Sequence, residues 1–278
     1  MKLSELNNFA MNFDEATYKK VYIGDNKAKA DLDTNRRAVW NIQKEKTCAV
    51  VSKDYKIVQH REFIQSVVEA ISNLNLPANA SANNMGNRIS VDIEFPDQKI
   101  ELKEVGEEFI SGLRIINSYD KTTGVLIVPR IVRLACANGM VSTRLATPFG
   151  VKHVSKLVGD LQKATAIVMK RIINSNDKLQ AWVSQCIGDS VEWEILDKIA
   201  PSLLDVEKHR KKILQILKEE SGTGKITRWD FYNAITNYCT HDTQLKGLVE
   251  ERLQKKAETV LVTPLAQLIP KETAKVSS

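Results

Sequence analysis

The chain has 278 residues, 43% hydrophobic and 27% charged, with a formal net charge of +6 and a sequence pI near 9.0. These are ordinary values for a globular chain with a sizeable core in one large domain or two small ones, and the mild positive balance admits nucleic acid among anionic partners. Composition argues against two classes. Cys48, Cys136, Cys186 and Cys239 lie too far apart for a disulfide framework or a thiolate zinc site, and no run approaches the roughly 18 apolar residues that cross a bilayer. With no apolar leader after Met1, the expected setting is a reducing cytoplasm without a membrane.

Residues 1–37 read as a polar N-terminal segment with a short helix near Glu5 to Met11. The run Val39 to Ile42 suits a strand. Thr47 to Val51 and Tyr55 to Val58, separated by Ser52-Lys53-Asp54, read as a hairpin. From Phe63 the apolar spacing turns helical through Ile71, and Pro77 opens a loop of small polar residues. Ile89, Val91, Ile93 and Phe95 then alternate strictly, as one face of a strand. Pro96-Asp97 reads as a turn into a short return strand at Ile100 to Leu102. Phe109 to Asn117 and Gly124 to Leu134 complete a meander, which can offer one sheet face to a partner.

Beyond Pro148 the pattern is helical. A long helix is predicted from Lys152 to about Ile173, and shorter ones near 178–187, 193–199, 204–219, 228–238 and 244–259. Gly188, Pro201 and Ser221 to Gly224 are the breaks between them. Thr227 with Asp230 forms a variant capping box for the helix carrying Trp229, Tyr232, Asn233 and Thr236. His241 is expected just past its end. The fold expected is α+β: an antiparallel β-meander with a long helix packed across it, followed by a mainly helical C-terminal part. The organisation read from the sequence is a core domain at 38–176, a helical part at 177–262 and a frayed tail at 263–278.

Three ordered segments resemble a known family. They are Val51-Ser52-Lys53-Asp54-Tyr55-Lys56-Ile57-Val58-Gln59-His60; then Asn117-Ser118-Tyr119-Asp120 with Arg133-Leu134-Ala135-Cys136-Ala137-Asn138-Gly139; and last Thr227 to Thr236 with His241. Together they are similar to the family called domain of unknown function nine-three-two, or phage/plasmid-like protein. Its usual motifs are V-S-x-x-Y-x-x-V-Q-N, N-S-H-D with R-x-x-C-x-N-G, and T-x-W-x-x-x-N-A-x-T…H. This chain departs at His60, where the family has Asn, and at Tyr119, where it has His. The resemblance implies a setting in mobile genetic elements and brings no activity with it.

Charge is concentrated. Between Gly112 and Lys178 there are eleven Lys or Arg against Asp120, Asp160 and Asp177, an excess above that of the whole chain. On one continuous helix Lys152, Lys156, Lys163 and Lys170 fall within roughly 60° of one another, opposite Val154, Leu157, Val158, Leu161, Ala164 and Val168. The row would be about 27 Å long at ~1.5 Å per residue. A line of ammonium groups suits a sequence-indifferent phosphate backbone, and equally a solvated helix face. Arg114, Arg130 and Arg133 on the meander could stack on or clamp nucleotides beside Tyr119, or pair with carboxylates such as Glu108 or Asp120.

Catalytic signatures are missing. Gly222-Thr223-Gly224-Lys225 is no phosphate loop, because position 219 is Glu and Ile226 replaces the Ser or Thr after the lysine. There is no H-E-x-x-H, G-x-S-x-G or G-x-G-x-x-G. Asp92 and Glu94 share a strand face and could take a metal with Asp97, yet solvated carboxylates explain them as well. No cofactor or metal is expected.

The function expected is non-enzymatic binding or annealing of nucleic acid, single-stranded DNA above all, in phage or plasmid recombination or replication, with a homo-oligomer among the partners. The candidate contacts are Arg114, Lys121, Arg130, Arg133, Lys152, Lys156, Lys163 and Lys170. The alternative is a protein-interaction or host-takeover factor that binds no nucleic acid. An enzyme site would need a deep polar pocket around Asn117, Asp120, Asn138 and His241.

Overall fold

A computed structural model describes residues 1–23, 31–103, 106–134, 138–141, 149–151, 158–173, 176–222, 224–242, 245 and 248–270. The chain divides into two compact units. The first comprises 1–99, 110–130 and 146–174, and the second 100–109, 131–145 and 175–278. The described elements run α1 (Leu3–Ala10), β1 (Ala16–Ile23), β2 (Asp31–Asn41), β3 (Lys46–Ser52), α2 (His60–Ser72), β4 (Asn79–Asn84), β5 (Arg88–Leu102), β6 (Glu107–Ser118), β7 (Val125–Arg133), β8 (Asn138–Val141), β9 (Phe149–Val151) and α3 (Val158–Ile173). They continue as α4 (Asn176–Gly188), β10 (Ser190–Val191), α5 (Trp193–Leu203), α6 (Glu207–Ser221), β11 (Ile226–Thr227), α7 (Arg228–His241), α8 (Leu248–Val262) and α9 (Leu265–Leu268). The protein is α+β, with antiparallel sheets and a mainly helical C-terminal part.

In the first unit the meander is the organising sheet, in the order β4-β5-β6-β7 with β9 paired to β7. The alternation of Ile89, Val91, Ile93 and Phe95 puts all four on one buried face, joined by Leu113 and Ile115 of β6 and Val125 and Ile127 of β7. Three helices close this core, α1 supplying Leu3, Leu6 and Ala10. Phe63, Ile64, Val67 and Ile71 come from α2, and Ala164 and Val168 from α3, which also packs on α2. Gly112 lets β6 lie close to β5, since a Cβ there would run into the Ile93 carbonyl.

Local expectations are corrected here: the stretch after Pro77 read as a loop carries strand β4. Pro96 makes no turn, and β5 runs through it to Leu102. The β4 ladder ends at the Asn79–Glu94 pair, so Pro96 falls where that edge of the strand has no β4 partner and a missing N–H costs little. Tyr55 to Val58 is no strand. The partner of β3 is β2, in a sheet ordered β1-β2-β3. The backbone at 55–58 is satisfied by side chains instead of a ladder. The Tyr18 hydroxyl donates to Tyr55 O at 2.7 Å and accepts from Ile57 N at 2.8 Å, and Asn117 Nδ2 donates to Val58 O at 2.8 Å.

The second unit is built on α7. Trp229, Phe231, Tyr232, Ala234 and Ile235 are buried there, amid side chains of α4, α5, α6 and α8. Trp229 stacks on Tyr232 with ring centroids 5.3 Å apart. The capping box is present: Asp230 N donates to Thr227 Oγ1 at 3.1 Å, and Thr227 N to Asp230 Oδ2 at 3.0 Å. Pro201 does not break α5 but sits in its last turn. Gly222, at φ +68°, closes α6 in a conformation that favours glycine. His241 is the last residue of α7 rather than a cap beyond it. Leu265 of α9 is fully buried, its N–H bonded to Asp189 Oδ2, within the stretch read as a tail.

Candidate nucleic-acid interface

The eight cations read from the sequence have different surroundings. Arg114 of β6 is buried and pairs with Asp92 of β5 through two parallel bonds, Nε to Oδ1 at 2.6 Å and Nη2 to Oδ2 at 2.7 Å. Arg130 of β7, also buried, reaches Asp92 at 3.5 Å and donates to Glu94. Strand alternation explains the ladder: residues 92 and 94 share the face opposite the apolar core, Arg114 meets it from the adjacent β6, and Arg130 reaches across from β7 to both acids. Burial pushes the Asp92 carboxyl up, but the charges of Arg114 and Arg130 and the Arg114 hydrogen bond outweigh it and hold the group below the usual carboxylate range. Asp92 and Glu94 are therefore engaged with arginines. Arg133 is bonded to Glu107. Pairing with carboxylates holds for all three arginines, though the acids are not those named from the sequence.

Lys121, at φ +66°, is exposed and donates to Val50 O at 3.3 Å beside β3. Lys163 and Lys170 are exposed on α3, seven residues and so about 10 Å apart along one face. Ala164, Thr165 and Val168 on the other side are buried. Among the described residues no carboxylate is within ion-pair reach of Lys163 or Lys170. Lys152 and Lys156 lie outside the described residues, and α3 is described from Val158.

One basic surface was not read from the sequence. On the open face of the β1-β2-β3 sheet, the Lys19 ammonium sits 3.2 Å from the centroid of the half-buried Trp40 ring. The Arg37 guanidinium lies 5.2 Å from the Tyr18 ring on the other face. Lys20 and Arg36 are exposed on the same strands, with Arg36 bonded to Asp33. The available signal was same-face spacing along each strand, Tyr18 with Tyr22 and Ala38 with Trp40, diluted by exposed polar residues on both faces.

The first two motif segments meet in a packed polar cluster. His60 is fully buried, stacked on Tyr119 with centroids 3.9 Å apart. Asn117 Nδ2 lies 2.9 Å from His60 Nδ1, so Nδ1 accepts, and the ring proton on Nε2 faces Gly86 O at 3.2 Å. The Tyr119 hydroxyl accepts from His60 N at 2.9 Å and lies 3.0 Å from Gln59 Oε1. Burial pushes the Tyr119 phenol well above its ordinary range. The two positions where the chain departs from the family motifs are thus in ring contact. Asn117 is inside this core and Asp120 accepts from Thr122. In the second unit the exposed His241 borders a shallow groove with Lys208, Lys212 and Asp242. The side chain of Asn138 lies outside the described residues. Among the described residues no three His, Cys, Asp or Glu side chains are placed to hold a metal. No described helix is long and apolar enough to cross a membrane.

Fold and surface together define an α+β protein with exposed lysines on the helix that backs its meander. The chain belongs to the family Domain of unknown function (DUF932), which it matches over residues 47–262. Neither the curated proteins nor the solved structures contain a significant match. The family match takes in β3 and everything described through α8, and leaves α1, β1 and β2 outside it.

Proposed function

We propose that this protein binds nucleic acid, single-stranded DNA in the first place, without catalysing a reaction on it. It acts as an oligomer in recombination or replication of phage or plasmid DNA in the host cytoplasm. The observation that carries this reading is the pair Lys163 and Lys170, exposed in line on α3 and unmatched by acids among the described residues. A phosphate backbone asks for spaced positive charge more than for hydrogen-bond geometry, and ammonium groups supply that. Lys121 and Lys19 add charge, and Trp40 offers a π-face of the kind on which bases stack.

The test is fluorescence anisotropy with single- and double-stranded oligonucleotides at two salt concentrations. Binding should weaken with a log–log slope of about −2 to −4, from three to five phosphates at ~0.7 per contact. Lys163→Glu with Lys170→Glu should remove it without unfolding the protein, and Trp40→Ala should weaken single-strand binding about tenfold. Binding that survives the double substitution, or no binding at ~0.15 M salt, refutes the reading.

A second reading, a protein-interaction or host-takeover factor, is favoured by one observation. Tyr22, Ile23 and Leu32 are 58%, 53% and 46% exposed at the far end of the β1–β2 pair. A two-stranded ribbon with bare apolar side chains is marginal in water and gains from being covered. That reading expects no retained oligonucleotide, and a complex by light scattering that Tyr22→Ser with Leu32→Ser dissolves.

A further inference from the structure

In the second unit, α5 ends at Leu203 and the chain turns through Leu204, Asp205 and Val206 into α6. The turn is held from two sides. Leu204 N donates to Ala200 O at 2.7 Å, and Arg210 Nη1 donates to Leu204 O at 3.1 Å. A cavity of about 280 Å³ is lined by this turn and by α8. The floor is apolar: Leu204 and Leu253 are buried, while Val206 and Val249 stand at the mouth. At roughly 30 Å³ for each water-sized group, the space takes about nine such groups, a little below the range of drug-sized sites.

The rim is cationic. Val249, Arg252, Leu253 and Lys256 fall on one face of α8 at ~100° per residue, and Lys255 borders the same opening. Among the described residues none of these three cations has a carboxylate within ion-pair reach. Asp205 is the single acid among the described lining residues, so positive charge is in excess. His209, the remaining polar wall, is tied through Nδ1 to the Tyr238 hydroxyl at 2.9 Å. Two of the four positions on that face of α8 are apolar, Leu253 buried in the floor and Val249 at the mouth.

We propose that this cavity is a binding site for a small amphipathic carboxylate. An apolar body of about eight carbon atoms lies against Leu204, Val206, Val249 and Leu253. Its carboxylate is held at the rim by Arg252, with Lys255 and Lys256 beside it. The guanidinium supplies the paired donors that a carboxylate matches, and the lysines add charge without fixed geometry. The site is independent of the nucleic-acid reading, since it uses no residue of α3 or of the β1-β2-β3 sheet.

The experiment titrates the full chain by calorimetry with three probes: octanoate, octanol and inorganic phosphate. Octanoate should bind one to one, octanol at least about tenfold more weakly, and phosphate without saturation. Arg252→Ala with Lys256→Ala should bring octanoate down to the octanol level and leave octanol unchanged. Val249→Trp, at a partly exposed position, should block both alcohol and acid while the thermal midpoint stays in place. Octanol as tight as octanoate overturns the proposal, as does octanoate binding indifferent to both variants, or no saturable octanoate binding at all.

Discussion

The arginines of the meander and the lysines of α3 carry the same charge within one stretch of chain, and the fold treats them oppositely. Arg114 and Arg130 are buried on the sheet and matched to Asp92 and Glu94, while Lys163 and Lys170 project from α3 unmatched among the described residues. The reason is geometric. Strands at ~4.8 Å spacing line up the side chains of one face, so a guanidinium finds a carboxylate on the next strand, as Arg114 does, or on the one beyond it, as Arg130 does. A helix with one apolar face leaves its other face to water. A count of positive charge therefore overstates the surface open to a polyanion, and the two sets should separate by experiment.

The largest effect expected is on the sheet. Arg114→Ala leaves the partly buried Asp92 half-matched, and should cost about 3–5 kcal/mol in urea unfolding while oligonucleotide affinity of the folded protein stays unchanged. Lys163→Glu with Lys170→Glu should do the reverse. Oligonucleotide binding is lost, and stability moves by no more than ~0.5 kcal/mol. If each variant changed both quantities alike, the distinction between structural and surface cations would fail. Away from both regions, Thr227→Ala removes the α7 cap and should cost about 1 kcal/mol, a reference for purely local damage.

The smallest and most gradual effect is on pH. The folded Asp92 carboxyl titrates below its unfolded value, so its contribution is complete above the unfolded pKa of ~3.9 and is lost as pH falls through the folded value. Urea midpoints should decline below about pH 4, and Asp92→Asn, already destabilised at neutral pH, should show a shallower acid limb. An identical acid limb in both proteins would assign the decline to other carboxylates.

Local signals were legible where a single chemical rule decides. The alternation at 89–95, the spacing at 63–71 and the Thr227–Asp230 box each became the element they describe. Of the β1–β2 pair only the end of β2, at Val39 to Asn41, was legible; the rest is exposed on both faces beyond Lys20 and Arg37 and carries no apolar stripe. Tyr55 to Val58 misled for the opposite reason. Its apolar residues are buried as a strand's would be, but Tyr18 and Asn117 take its backbone groups. Of the candidate interface, the basic stretch and the helical lysine spacing were readable, whereas which cations meet an acid depends on neighbouring strands.

By itself the sequence determined the class of the fold, the order of meander and helices, the cap of α7 and membership of the family, since all of these rest on periodicity, local chemistry or motif order. Only the tertiary structure decided that Arg114 and Arg130 are interior partners of Asp92 and Glu94. The same holds for the contact of His60 with Tyr119, and for the pit between the α5–α6 turn and α8. Each is a meeting of residues distant in the chain, and strand pairing and helix packing, not spacing along the sequence, bring such residues together.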